Sequence, residues 1–377
     1  MLAVVAIAPA AASAAPGAIA GVVTSEETHA PIGNVEVCAF ADGEESEPEA
    51  CAPTSVVDGS YLISNLAPGT YEVEFWPRFA LDEYAYEFYD DQLDLEHADP
   101  VEVLDGATTA GIDAELAAPS SIGGKVLGPL GEPLEEVEVC AVPEGPGYER
   151  CTLTEEEGEY LLDRLPPNSY KAWFDPFLTG LNLLEQFWDH KPTSEAAEAV
   201  VLGPGEAVSG IDADLEAGAE IRGTVRSAAT GSPLGGIVVC AFKAVTGELW
   251  SCDKTSPGGS YSLWWLEGGL FKVGFAVDRH DFLPDLFPQP EPQGYPTQFY
   301  NGKTTLAAAD VLTTKPPAAI TGIDASLGSP PVVPAPTPIA KPEPKPLKCK
   351  RGFTKKRVKG KARCVKVHKH RRHHRAR

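Results

Sequence analysis

Apolar and polar residues alternate over short runs along most of this chain. Val35 and Val37 flank Glu36, and Tyr71, Val73 and Phe75 alternate with Glu72 and Glu74. Tyr61-Leu62-Ile63 and the Tyr71 run are separated by Ala67-Pro68-Gly69, a turn signal between two strand signals. Val-, Tyr- and Thr-rich runs recur between Gly, Pro and Asp clusters, and no stretch sustains a helical period. The pattern predicts an all-β chain of short strands.

The strand signals repeat. VEVCAF at Val35 returns as VEVCAV at Val137 and IVVCAF at Ile237. DGSYLISNLAPGTYEVEF returns as EGEYLLDRLPPNSYKAWF and GGSYSLWWLEGGLFKVGF. Each copy then carries an aromatic pair, Phe88-Tyr89, Phe187-Trp188 or Phe299-Tyr300, and closes on Gly-Ile-Asp-Ala at Gly111, Gly210 or Gly322. A period near one hundred residues is too long for a solenoid unit and fits one domain per copy. We expect three tandem seven-stranded antiparallel β-sandwiches, residues 16–118, 119–218 and 219–328. A signal peptide (1–15) precedes them, and a Pro-rich linker (329–346) and a basic tail (347–377) follow.

Eight cysteines fall into four local pairs: Cys38/Cys51, Cys140/Cys151, Cys240/Cys252 and Cys349/Cys364. An even, regularly spaced set reads as disulfides in an exported chain, and the closer clusters typical of structural zinc are missing. A bridge closing about 13 residues stabilises a small domain by about 3 kcal/mol on the chain-entropy model. Strand parity puts Cys38 on the face opposite Val35, Val37 and Ala39, so each bridge is expected on the less buried face of its sheet.

The repeat motifs, G-x-V, [VI]-x-V-C-A, G-x-Y-x-L-x-x-L and Y-x-V-x-F, resemble bacterial carboxypeptidase-regulatory-like repeats, with Phe271 replacing the last Tyr in the third copy. These are relatives of transthyretin-like, starch-binding-like and collagen-adhesin B-type sandwiches. The resemblance covers about 310 residues and implies a prealbumin-like fold rather than a function. Some adhesin B-type repeats cross-link a Lys to an Asn or Asp. The first repeat, from Gly17 to Ala118, has no Lys, so the cysteine pair stands in as its covalent staple.

Charge is divided unevenly. The chain carries a net −23, yet residues 346–377 hold 15 Lys and Arg and no acid. The remainder has 16 basic residues against 54 acids, a net −38. Such a body excludes general nucleic-acid binding by the folded part, since phosphates require a basic footprint. The tail reads as an interaction module for anionic cell-wall polymer or lipid headgroups, carried by Lys348, Lys350, Arg351, Lys355, Lys356 and Arg357. Runs Phe353–Val358 and Ala362–Val367 predict a small hairpin closed by Cys349–Cys364. Residues 329–346 form a semi-rigid spacer.

The start of the sequence, with apolar Leu2–Ala8, Pro9 and small Ala12-Ser13-Ala14, reads as an export signal lacking a basic lead. Pro9 interrupts that run, so no segment is long enough to span a bilayer, and no wall-sorting L-P-x-T-G motif occurs. The expected location is secreted or cell-surface.

Catalytic signals are sparse. His29, His97, His190 and His280 do not recur between copies, and no nucleophile-elbow, zincin, P-loop or dinucleotide pattern is present. We expect no catalytic residue, metal or cofactor. Acidic loops such as Asp90-Asp91 and Glu155-Glu156-Glu157 offer oxygen ligands for calcium but no ordered loop signature, and read as solvated acids. The aromatic pairs are ambiguous. Adjacent strand residues face opposite ways, so the Phe of each pair is expected inside, with Tyr89, Trp188 and Tyr300 outside. Exposed rings there would stack on a sugar, and structural packing is the competing reading. Trp264-Trp265 poses the same choice.

Two function classes follow. One is a non-enzymatic adhesive stalk with an electrostatic anchor. The alternative is a polysaccharide-binding module array, accessory to glycoside hydrolysis such as α-amylase action. A hydrolytic enzyme is a third class, and glycoside hydrolysis is the reaction to assay for it.

Overall fold

The computed structural model describes residues 15–41, 47–78, 83–278, 282, 294–328, 348–351, 353–358 and 361–366. The signal peptide, the Pro-rich linker and His280 lie outside these residues, apart from Ala15. Residues 1–329 and 330–377 form two separate compact units.

The first unit is all-β and holds three copies of one sandwich. In the first copy the strands are β1 (Gly17–Ser25), β2 (Glu36–Ala41), β3 (Ala50–Pro53), β4 (Ser60–Leu66), β5 (Gly69–Trp76), β6 (Glu87–Phe88), β7 (Val101–Val103), β8 (Thr108–Ala110) and β9 (Ala114–Leu116). One sheet runs β4-β1, with β8 and β9 both on the far side of β1. The other runs β3-β2-β5, with β6 and β7 both on the far side of β5. The nine strands thus fill seven lanes, two of them interrupted. One expectation is corrected: β8 and β9 pair with β1 in parallel, as their counterparts do in the other two copies. The sandwiches are therefore mixed rather than purely antiparallel.

Alternation sets the core. Ile19, Val23, Val37, Ala39, Ile63, Val73, Phe75 and Leu116 meet between the sheets at 0–1% exposure. A fully buried Phe such as Phe75 contributes roughly 2–3 kcal/mol. Equivalent clusters form around Phe174 and Phe275.

The repeated motifs close each sandwich with the same hydrogen bonds. Tyr61, Tyr160 and Tyr261 each donate a phenolic O–H to the carbonyl of Ile112, Ile211 or Ile323, at 2.6 Å in all three copies. The aspartate after each of these isoleucines accepts an N–H from the first strand, from Val22, Lys125 or Thr224. The turn needs a glycine with φ near +80° at Gly111, Gly210 and Gly322. The first strand must also offer a glycine where the Ile carbonyl crosses it. A Cβ on Gly21 would lie 1.9 Å from the Ile112 oxygen. A second recurring element is a threonine, Thr54, Thr154 or Thr255. It accepts the N–H of Val35, Val137 or Ile237 and donates to the carbonyl of Ile32, Leu134 or Leu234.

The second unit is a two-stranded antiparallel hairpin, Phe353–Val358 with Lys361–Lys366. Its second strand starts one residue earlier than the sequence pattern predicted, and ends at Lys366. Among the described residues no helix is long and apolar enough to cross a membrane.

Candidate functional site

The outer face of each second sheet carries one row of side chains. Register places Cys51, Cys38, Glu74 and Phe88 side by side across the first. The second holds Cys151, Cys140, Trp173 and Phe187, and the third Cys252, Cys240, Gly274 and Phe299. Each cysteine pair is bonded as Cys38–Cys51, Cys140–Cys151 and Cys240–Cys252. The bridges do lie opposite the core, as parity required, but Cys38, Cys140 and Cys240 are only 0–6% exposed. In the second copy Trp173, beside Cys140, stacks on Phe187, and in the third Phe282 and Phe299 close over Gly274 beside Cys240, while the partner cysteines Cys51 and Cys151 are exposed.

These ring contacts correct the reading of the aromatic pairs. Phe88 and Phe299 are buried, but on the outer face rather than in the sandwich core. Tyr89, Trp188 and Tyr300 turn the other way and pack, half-buried, against the three cores. They are partly buried rather than fully exposed as expected. Parity correctly assigned the two rings to opposite faces. The sides were exchanged because both faces of this sheet are covered.

Acids in the first copy are unusually enclosed. Burial, then the charge of Glu36, pushes Glu74 up to about 7. Burial pushes Glu87 up to about 8, helped by Asp91, Asp90, Glu26 and Glu115. Glu87 sits opposite Phe75, a lane position held by Gln186 in the second copy and Gln298 in the third.

Consecutive copies are joined by a few side-chain hydrogen bonds and ring contacts. Asp94 accepts the N–H of Gly147 at 2.7 Å, and the N–H of Leu95 donates to the Tyr148 hydroxyl at 3.1 Å. Tyr148 also packs on Tyr86 and Phe88. At the next junction Asn182 accepts the N–H of Trp265 at 2.7 Å and donates to the Gly218 carbonyl at 2.8 Å. Beside it lies a groove of about 470 Å³ lined by Phe177, Trp250, Trp265, Glu185, Glu248 and Glu267, among others. Sequence reading missed this groove. Its one signal was Trp265, which stands where the other copies have Asn65 and Arg164, all three at φ near +60°. Its neighbour Trp264 instead donates to Glu220 at 2.8 Å.

In the hairpin unit, Cys349 bonds Cys364. Lys348, Lys350, Arg351, Lys355, Lys356 and Arg357 are all exposed. Register sets Lys356 opposite Arg363, with Lys355 and Arg357 on the other face. Like charges facing across strands are unfavourable, and two strands alone are marginal, so the bridge is what holds this unit together.

The histidines described sit with acids: His97 with Asp94 at 2.7 Å, His29 with Glu115 at 3.7 Å, and His190 with Asp189. Among the described residues none bonds a serine or threonine hydroxyl.

No protein-family model and no curated protein matches the chain. Among solved structures it is similar to the Bacillus anthracis TIE protein, at 15% identity and a TM-score of 0.24, over 84% of this chain and 51% of that one. The chain therefore spans about half the length of that protein. It is also similar to a streptococcal ancillary pilin, at 11% identity and 0.28, covering 84% and 99%. A third is the minor pilin GBS52 of Streptococcus agalactiae, at 12% and 0.27, covering 59% and 100%. Likenesses this distant bear on neither activity nor partner.

Proposed function

We propose that the chain is a non-enzymatic structural protein of the cell exterior. Its three stapled sandwiches form an adhesive stalk of the carboxypeptidase-regulatory-like kind. Its basic hairpin attaches electrostatically to anionic cell-wall polymer or lipid headgroups. The observation that carries the reading is the hairpin unit: eight exposed Lys and Arg among its described residues, in a disulfide-held segment that contains no acid, joined to a body of net −38. Strands space alternate side chains by about 7 Å, which suits repeated phosphates or carboxylates. Export is supported by the apolar start of the sequence and by four disulfides, which persist in oxidising surroundings.

Attraction of this kind is screened beyond about 8 Å at physiological salt. Cells producing the full chain should hold it at their surface and release it in moderate salt. Deleting residues 346–377 should release it into the medium without salt. Surface retention of the deletion variant would refute the anchor. Parallel binding assays with purified wall polymer and with anionic vesicles separate the two anionic partners.

A further inference from the structure

The groove between the second and third sandwiches is built to receive cationic side chains, and we infer that it binds lysine residues of an extended peptide partner. Three rings frame it, and they are held in place. Trp250 Nε1 donates to the Trp265 carbonyl at 2.8 Å, and Trp265 Nε1 donates to the Leu181 carbonyl at 3.0 Å. Phe177 lies 5.6 Å from Trp265, centroid to centroid. Its ring is 61% exposed, beside Leu178 at 52% and Leu181 at 47%. Phe177 lines the groove, and exposed apolar residues follow it in the same segment, a composition that marks a contact surface. The volume of about 470 Å³ falls within the range of ligand sites.

Charge decides the class of ligand. Among the described residues lining the groove none is basic, while Asp175, Glu185, Glu248 and Glu267 stand on its walls, Glu267 being paired already with Lys243 over the Trp250 ring. The protein already displays the recognition in one place. Lys243 sets its ammonium 3.8 Å above the Trp250 ring and pairs with Glu267. Ring face and carboxylate together hold one ammonium, while the aliphatic stem lies along apolar surface. Phe177 and Trp265, with Glu185 and Glu248, offer the same pairing to an ammonium from outside. A lysine side chain matches both halves of the site: its stem suits the rings and its head suits the acids. Presenting lysines on an extended backbone lets a neighbouring stem lie on the exposed Phe177.

The test uses the full chain and a hexapeptide alternating Lys and Ala, followed by tryptophan fluorescence and calorimetry. Saturable binding is expected, and the Gln-for-Lys peptide should not bind. Phe177→Ala and Glu248→Gln, both at solvent-facing positions, should each weaken binding about 5–10-fold with unchanged circular dichroism. The double variant Glu155→Gln/Glu156→Gln removes charge from a distant turn and should bind as the parent does. Equal weakening by that control would reduce the effect to general attraction by an acidic body and overturn the site. So would absence of saturable binding, or binding of neutral maltohexaose as tight as that of the Lys peptide.

Discussion

The Tyr61 hydroxyl donates to the carbonyl of Ile112 across 51 residues, and the same 2.6 Å bond recurs between Tyr160 and Ile211 and between Tyr261 and Ile323. It ties the strand after the disulfide loop to the end of the copy, inside the protein. Desolvation holds all three phenols well above the usual tyrosine range. Tyr160→Phe keeps the ring and strands the carbonyl. We expect a loss of about 1–2 kcal/mol, read as a lower midpoint in urea.

Glu87 gives a pH signature. Its carboxyl is pushed from an ordinary 4.5 to about 8, first by burial and then by neighbouring acids. The folded state therefore retains a proton that the unfolded state releases near 4.5. Its contribution is fully present below about pH 4.5 and is lost as pH rises towards 8. Glu87→Gln, copying Gln186 and Gln298, should leave stability unchanged at pH 4 and raise it by roughly 1–3 kcal/mol at pH 8. Thermal melts at the two pH values check this.

Asn182 is one of the side chains at the junction of the second and third sandwiches, accepting the Trp265 N–H across it. Asn182→Ala removes both bonds, to the Trp265 N–H and the Gly218 carbonyl. About 1–3 kcal/mol of local stability should be lost there. Amide exchange should quicken around Leu181–Leu184 and Trp265, while the sandwich cores keep their protection.

Arg164 holds φ at +59°, a conformation that costs a side-chain-bearing residue about 1–2 kcal/mol. Its counterpart Asn65 is a residue type that tolerates it. Arg164→Gly should therefore raise the unfolding midpoint, by about 0.5–1 kcal/mol net of Gly entropy. A lower midpoint would mean that the Arg164 side chain contributes more than the backbone costs.

The β architecture was legible because alternation and turn residues act locally, and the hundred-residue period showed which features recur. The Gly-Ile-Asp-Ala motif was visible as a string. Its role was not, because Ile112 acts through its backbone carbonyl and Gly21 through a missing Cβ, neither of which leaves a periodic mark. The parallel pairing of β8 and β9 escaped because a three-residue strand carries no signal of direction. The aromatic pairs were misassigned because alternation reports which rings oppose each other and does not report which face is covered. The hairpin was legible from its cysteines and charge. The groove was not, because Phe177 of the second copy is brought against Trp250 and Trp265 of the third.

We propose that the basic hairpin anchors the chain by charge. The direct measurement is sedimentation of the full chain with anionic particles, phosphate-polymer-coated beads or anionic vesicles, across a salt series. It is compared with Lys355→Gln/Lys356→Gln/Arg357→Gln. The account predicts capture at low salt, release as salt rises, and a shallower salt dependence with weaker capture for the triple variant. Capture that is indifferent to salt, or equal in the triple variant, would contradict it.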